Sequence, residues 1–523
     1  MTERIVVIGA GVGGLAAALR LAHAGCAVTV LERAATPGGK MRTLPSDAGP
    51  VDAGPTVMTM RWVFEDLFAA TGERLDDHVT LHPEPLLARH WWPDGSTLDL
   101  FADPDASAAA IRTLAGARAE AEFRAFDAEA ARLFAAFDAP MMRAPRPAFG
   151  RLAATVMGQP RLIAPLGPFA TLARRLAGRF TDPRLRQLFG RYATYVGGSP
   201  DASPAVLSLI WHAEARGVWR VDGGMHRLAQ AMAQLARARG AVFHHGADVA
   251  RIEVRDGRAT AAILGDGTRI AADRIVFNGD PAALHRGLLG AGVRRAVPRS
   301  AVAPRSLSAQ VWAFAARPSR GDLAHHNVFF GADPAAEFGP IAAGRLPTDP
   351  TIYVCAQDRG AGQPLPDGPE RFETIMNAPP HGASKGAGPC RMQECRDLTF
   401  ATLARHGLSF DPPAPDRALT TPQGFDALFP GSDGSLYGRS PHGLTASLRR
   451  PVAATAVAGL YLAGGGAHPG AGIPMATLSG AHAAAAILNA PASTSASPRT
   501  DMPGGTSTPS PTAAPTRSPS SPS

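Results

Sequence analysis

Arg4-Ile5-Val6-Val7-Ile8-Gly9-Ala10-Gly11-Val12-Gly13-Gly14 is the stretch whose reading decides the fold. Four consecutive apolar residues, Ile5 to Ile8, suit a strand buried on both faces of a parallel sheet. The Gly9-x-Gly11-x-x-Gly14 spacing follows at once, then an Ala/Leu-rich helical pattern to about Ala24. Gly25 ends that helix, and Ala27 to Leu31 reads as a second strand closed by Glu32, 18 residues after Gly14. Each part has a physical task. Gly9 permits a tight turn, Gly11 lets the backbone approach a pyrophosphate, and Gly14 lets helix and strand pack closely; Gly13 belongs to the same run. The helix N-terminus offers unpaired N–H groups and a positive dipole end to phosphate. Glu32 is placed to accept hydrogen bonds from an adenosine ribose, and its charge disfavours a 2′-phosphate. A strand–helix–strand unit with this terminal acid predicts a bound dinucleotide.

Further glycine clusters bear on which dinucleotide. Gly38-Gly39-Lys40-Met41-Arg42 lies just past Glu32, and Asp52-Ala53-Gly54-Pro55-Thr56 follows ten residues later. Backbone at Gly38 and Gly39, with the Arg42 guanidinium, can meet a second phosphate or a flavin edge. Near the other end Gly464-Gly465-Gly466 and Gly470-Ala471-Gly472-Ile473-Pro474 lead into a helix that begins about Met475. Pro474 suits a first helical position. A helix N-terminus aimed at an isoalloxazine stabilises the charge that forms on reduction. These features favour FAD over NAD, with a glycine-rich turn closing the sheet as the alternative.

Forty-five per cent of the 523 residues are apolar, ample for a large core. The chain divides into FAD-binding segments at 1–100, 216–300 and 441–490, a helical substrate and membrane-associating region at 101–215, and a substrate domain at 301–440. Within these, Asp105–Phe137 is an alanine-rich helical pattern and Met225–Arg239 a helix. Val249–Val254 and Arg274–Phe277 read as strands, and Arg258–Leu264 and Thr268–Ala271 flank a hairpin turn at Asp266-Gly267. Residues 491–523 hold 8 Pro, 9 Ser and 6 Thr without an aromatic side chain, a composition expected to stay disordered. Four cysteines make no disulfide framework and suggest ordinary reduced thiols, and no metal site is expected.

The net charge of +8 is concentrated between Met141 and Arg191, which hold ten arginines against the one acid Asp182. Large apolar residues, among them Phe149, Met157, Ile163 and Phe169, share this window, and Pro and Gly break it into short helices. A basic, apolar, broken-helix patch suits an anionic membrane surface. An ordinary solvated surface in an arginine-biased chain is the alternative; nucleic acid is disfavoured, since no nucleic-acid motif accompanies the charge. There is no signal-peptide pattern and no apolar run of spanning length. The expected localisation is peripheral, on the cytoplasmic side of a membrane.

Taken together, Gly9–Gly14, Glu32, Pro37-Gly38-Gly39 with Arg42, Asp52–Thr56 and Tyr461–Pro474 resemble the phytoene-desaturase-type carotenoid desaturases. Tyr195-Val196-Gly197-Gly198-Ser199-Pro200, Gly217-Val218-Trp219 and Gly223-Gly224-Met225 are similar too, so the resemblance spans roughly residues 4–490. Ser199–Pro204, Trp211-His212-Ala213-Glu214 and Leu436–Gly443 narrow it to the bacterial 1-hydroxycarotenoid 3,4-desaturases. The resemblance implies an α/β chain with a FAD-binding, Rossmann-like, amine-oxidase-like domain, an inserted substrate domain and a helical membrane-associating region. It implies FAD held by Gly9, Gly11, Gly13, Gly14, Glu32, Gly38, Gly39, Lys40, Arg42, Gly54, Pro55, Thr56, Val249, Gly464, Gly465, Gly472, Ile473, Pro474 and Met475. Ala467 stands where many relatives carry a hydroxyl residue, which puts one cofactor hydrogen bond in question.

The implied reaction removes hydride from C4 of an acyclic 1-hydroxycarotenoid to the flavin and a proton from C3, with oxygen or a quinone as final acceptor. The allylic cation makes C3–H acidic, so a modest base suffices. His468 is a candidate beside the reacting bond, or else a residue that orients its loop. His212 and Glu214 are candidates for binding the 1-hydroxyl or acting as base, but two positions apart on a helix they do not share a face. Trp211 and Trp219 are candidates to line a polyene tunnel, or core residues. Alternatives are a phytoene-type desaturase, a carotenoid isomerase or ketolase, an amine oxidase, or a lipid escort protein on a similar fold. The amine oxidase is weakened because Lys40 and Lys385 are the only lysines.

Overall fold

The computed structural model describes residues 2–167, 169–381, 392–443 and 445–490. Lys385, Cys390 and the 491–523 tail lie outside the described residues. The elements that position the site run in chain order from β1 (Arg4–Ile8), α1 (Val12–His23) and β2 (Ala27–Glu32) to β3 (Leu86–Trp91) and β4 (Thr97–Phe101). Next come the helices α2 (Pro104–Phe137), α3 (Phe149–Gly158), α4 (Leu209–Ala215) and α5 (His226–Ala238). Strands β5 (Val242–His245), β6 (Val249–Arg255), β7 (Arg258–Leu264), β8 (Arg269–Ala271) and β9 (Arg274–Phe277) follow. Then come β10 (Ser308–Pro318), β11 (His326–Phe329), α6 (Pro334–Ala342), β12 (Ile352–Ala356) and β13 (Glu370–Ala378). Strand β14 (Leu460–Leu462) and helix α7 (Ile473–Leu488) complete the set.

Two sheets organise the chain. The first is five-stranded and parallel, ordered β14–β9–β1–β2–β5. Its central strand β1 is buried from Ile5 to Ile8, as an all-apolar strand covered on both faces must be. Helices α1, α5 and α7 cover one face, joined through Leu15, Leu19, Leu228, Met232 and Ile487 in one core. The β6–β7–β8 ribbon packs against the other with Ile252, Ala262 and Ile275. The hairpin expected at Asp266-Gly267 is the β7–β8 pair.

The second sheet is eight-stranded and mixed, with β10–β13–β12–β11–β3–β4 as its main path. Residues 86–101, grouped by sequence with the first FAD-binding segment, pair here instead: β3 joins β11 in parallel and β4 in antiparallel. The alanine-rich 104–137 pattern is interrupted at Gly116, whose φ of +86° kinks α2 into two helices. Pro474 occupies the second position of α7, one residue later than its sequence suggests, because Gly472 is the N-cap. One cysteine reading is corrected: Cys395 is disulfide-bonded, while Cys26 and Cys355 are free thiols.

The two terminal regions of the fold meet where α1 crosses α7. A Cβ built on Gly480 of α7 falls 2.1 Å from the Gly13 carbonyl oxygen, so only glycine fits. Gly480→Val forces the helices apart, and its overpacking should cost about 1–3 kcal/mol. The expected outcome is a lower urea midpoint than wild type, read by circular dichroism.

Candidate active site

At the C-terminal end of the parallel sheet the chain builds a cradle of backbone. Gly11 caps α1 and Gly472 caps α7, and neither helix start has a side-chain cap, so first-turn N–H groups face outward without a capping side chain. A Cβ on Gly14 would lie 2.1 Å from Gly9 O, one on Gly13 2.6 Å from Gly464 N, and one on Gly54 1.9 Å from Lys40 O. The glycines at both chain ends therefore pack backbone on backbone. Glu32 ends β2 with Oε2 accepting from Ala10 N at 2.6 Å and Oε1 from Ala34 N at 2.8 Å. Beside it, Ala247 N donates to Glu32 O and Gly246 N to Ala34 O, which brings the start of β6 at Val249 to the same edge.

Positive charge gathers at this cradle. Lys40 is half-buried with its Nζ on Leu436 O, and desolvation pushes its ammonium down to about 8. Arg450, which is buried, donates to the carbonyls of Gly465 and Arg439 at 2.8 and 2.9 Å and is pushed down to about 10. The nearby Asp280 carboxylate is already engaged by Arg305. Arg42 is held by Thr420 Oγ1 at 2.6 Å and lies over the Phe425 ring. Uncapped helix starts, glycine backbone and desolvated cations lacking a matched acid form a donor set that fits a dinucleotide diphosphate.

Adjoining the cradle is a cavity of about 780 Å³. Pro55, Thr56, Gly472, Ile473 and Pro474, all from the predicted cofactor segments, line it. Its walls are largely apolar or aromatic, with Trp92, Phe330, Phe338, Tyr195, Tyr353 and Tyr437 among them. The second sheet contributes Tyr353 from β12 and Ile375 and Asn377 from β13. Burial pushes the Tyr437 phenol up to about 12 and Tyr353 well above its ordinary value, so both remain protonated.

The sequence-derived catalytic candidates fall outside this wall. His468 sends Nε2 to Ala144 O at 2.8 Å and stacks against His482, whose own Nε2 reaches Met142 O. That ties the 464–474 loop to the basic segment, and burial holds His468 at about 4. Its position is that of a loop-orienting residue. Glu214 is buried behind the cavity, accepting from Tyr192 and Tyr195 hydroxyls at 2.7 Å each, and acts on the wall only through Tyr195. His212, on another face of α4, packs on Phe134. Trp211 is a core residue bonded to Asp127, and Trp219 is partly buried in the first core; neither lines the cavity.

Sequence reasoning missed the polar groups of the second sheet. His325, His326 and Cys355 place ligating atoms within 4.8 Å of one another, a grouping for which spacing along the chain gives no metal-motif signal. Glu337, bonded to Asn377 at 2.8 Å, and the fully buried Glu373 were missed as well; burial pushes both carboxyls up. These residues come from strands and helices distant in sequence.

Comparison with known proteins now identifies the family. The profile of the flavin containing amine oxidoreductases matches residues 12–316. The chain belongs to this family. It is 59% identical to a hydroxyneurosporene desaturase from Cereibacter sphaeroides, over 93% of this chain and 98% of that one. It is 54% identical to a hydroxyneurosporene desaturase from Rhodobacter capsulatus, over 92% and 97% of the two chains. Among solved structures, a putrescine oxidase redesigned in cofactor binding superposes with a TM-score of 0.58 at 15% identity, covering 93% of this chain and 99% of that one, which shows the shared fold. The family is flavin-containing, and the glycine-rich β1–α1–β2 unit fits a dinucleotide: the cofactor is FAD and the protein a flavin-dependent oxidoreductase.

Lys40 yields a pH prediction. Above about pH 8 the cofactor-free site loses this charge, so FAD binding should weaken as pH rises from about 7 to 9. Lys40→Met should bind FAD more weakly at neutral pH and lose most of that pH dependence. Fluorescence titration of the apoprotein with FAD at each pH measures both.

Proposed function

We propose that the protein is a FAD-dependent carotenoid desaturase that forms the C3–C4 double bond of acyclic 1-hydroxycarotenoids, as in 1-hydroxyneurosporene to demethylspheroidene. The observation that carries this reading is the large, mainly apolar cavity that runs up to Thr56 and Gly472–Pro474 of the cofactor segments. Its mainly apolar lining suits a polyene, and near-full-length similarity to hydroxyneurosporene desaturases supports the choice of end group.

Bound FAD supplies the hydride acceptor. The protein's own part is to hold the polyene against that face in a dry site. Ile473 and Pro474 abut the polyene at the start of α7, while Tyr353 and Ile375 press from the second sheet and Tyr437 from the loop before β14. Lys40, Arg450 and the amide ends of α1 would hold the diphosphate, and Glu32 the ribose.

Carotenoids reside in membranes, and the segment from Met141 to Arg191 is the proposed docking surface on the cytoplasmic side. Helix α3 has no buried residue. Phe149, Met157, Ile163 and Phe169 are 55%, 75%, 52% and 94% exposed. The basic charge is thinner than composition suggests, because Arg143, Arg175, Arg179 and Arg184 are engaged by carboxylates and Arg191 is half-buried against Tyr192 and Tyr195. Arg146, Arg151, Arg161 and Arg174 make no ion pair among the described residues and flank the exposed apolar groups. No described helix is long and apolar enough to cross a membrane.

Incubated without oxygen, with a quinone and liposomes carrying 1-hydroxyneurosporene, the holoenzyme should red-shift the pigment by one conjugated double bond and remove two hydrogens by mass. Isomerisation without mass change, or a gain of oxygen, would replace the desaturase reading. In co-sedimentation with phosphatidylglycerol vesicles, Met157→Asp with Phe169→Asp should weaken binding about tenfold or more, each lost insertion being worth roughly 1.5–3 kcal/mol. Unchanged sedimentation would dismiss this surface.

A further inference from the structure

One chain of hydrogen bonds leads out of the cavity into the second sheet. Thr56 and Tyr353 both line the cavity, and their hydroxyls share a hydrogen bond at 2.9 Å. Tyr353 also bonds His326 Nδ1 at 2.7 Å, the two rings lying nearly parallel at 5.9 Å. His326 is buried and its Nε2 has no hydrogen-bond partner. Register explains the juxtaposition: β11 pairs with β12 so that His326 faces Cys355, and Tyr353 is two residues back along β12 on the same face. Thr56 arrives from the cofactor segment that follows Gly54. A polar relay thus begins at the wall beside the cofactor and ends on a buried base.

On the desaturase reading, the reaction must dispose of one proton in a dry site. We propose that Tyr353 is the catalytic group that takes the C3 proton, with His326 the relay residue that receives Tyr353's own proton and Thr56 the residue that orients the phenol. The C4 hydrogen leaves with its electron pair, for which bound FAD would be the acceptor, and C4 becomes cationic. The C3–H bond breaks, its electrons form the C3–C4 double bond, and its proton joins Tyr353 Oη. In the same event the Tyr353 O–H bond breaks and its proton joins His326 Nδ1. When product leaves and water enters the cavity, His326 Nδ1 returns its proton to Tyr353 Oη and the phenol releases its own to that water, so that the neutral pair is restored and the carotenoid has lost one hydride and one proton.

The surroundings suit a transient acceptor. Burial, with His325 and the Arg191 guanidinium nearby, holds His326 well below its ordinary value, so it rests neutral with a free acceptor position. Cys355 and Tyr353 on β12 and Glu373 on β13 are all pushed well up by burial, and His325 is held neutral at about 4.

The test uses anaerobic single turnovers of the FAD-loaded protein with 1-hydroxyneurosporene carrying deuterium at C3 or at C4, following flavin bleaching and product. Tyr353→Phe should keep its FAD spectrum and its thermal midpoint, slow product formation about 10²-fold or more, and show an enlarged C3 isotope effect with a diminished C4 effect. His326→Gln should shift both isotope effects in the same direction by less. If wild type desaturates but neither variant changes the C3 isotope effect, the relay is wrong while the desaturase reading stands. If wild type does not bleach at all, both fall. A stoichiometric metal ion in the purified protein, lost in Cys355→Ser, would occupy the His326 ring and also overturn the relay.

Discussion

The contact on which the structure depends is the crossing of α1 and α7, where Gly480 meets the Gly13 carbonyl and Gly13 meets Gly464 with no room for a side chain. It brings residues 9–14 against residues 464–474 and sets two uncapped helix starts beside one another. Backbone amides presented this way cannot be satisfied by other backbone, so the cleft between them has a built-in demand for an anion. The desolvated ammonium of Lys40 and guanidinium of Arg450 add to that demand. The cofactor is the group that meets it.

The second sheet answers a different need. A polyene offers no charge or hydrogen bonds over most of its length, so recognition rests on shape and apolar area. Burial raises the phenols of Tyr353 and Tyr437 and the carboxyls of Glu337 and the deeper Glu373, and lowers the imidazole of His326, so each is biased toward its neutral form. Glu214 contributes from behind by fixing Tyr192 and Tyr195.

The first sheet was legible from residue order because its signals are local. Ile5–Ile8, Gly9–Gly14 and Glu32 carry their meaning within about thirty residues, and the 3.6-residue and all-apolar patterns of α1 and β1 do not depend on partners. The second sheet was not legible. Strand β3 pairs with β11, some 240 residues away, in a register no local pattern encodes. The same holds for the site. His468 stands out in sequence because it sits inside a glycine motif, yet its ring points to Ala144; Tyr353 and His326 sit in ordinary strand sequence, and only pairing reveals them.

Sequence alone therefore determined the family, the cofactor and the broad chemical class, because a dinucleotide is held by backbone geometry that glycine spacing specifies directly. Tertiary structure decided which side chains face the cavity, which arginines of the basic segment remain unpaired, and where a proton can go. Those properties arise from contacts between strands and helices far apart in the chain, and their chemistry comes from burial, which no single stretch of sequence carries.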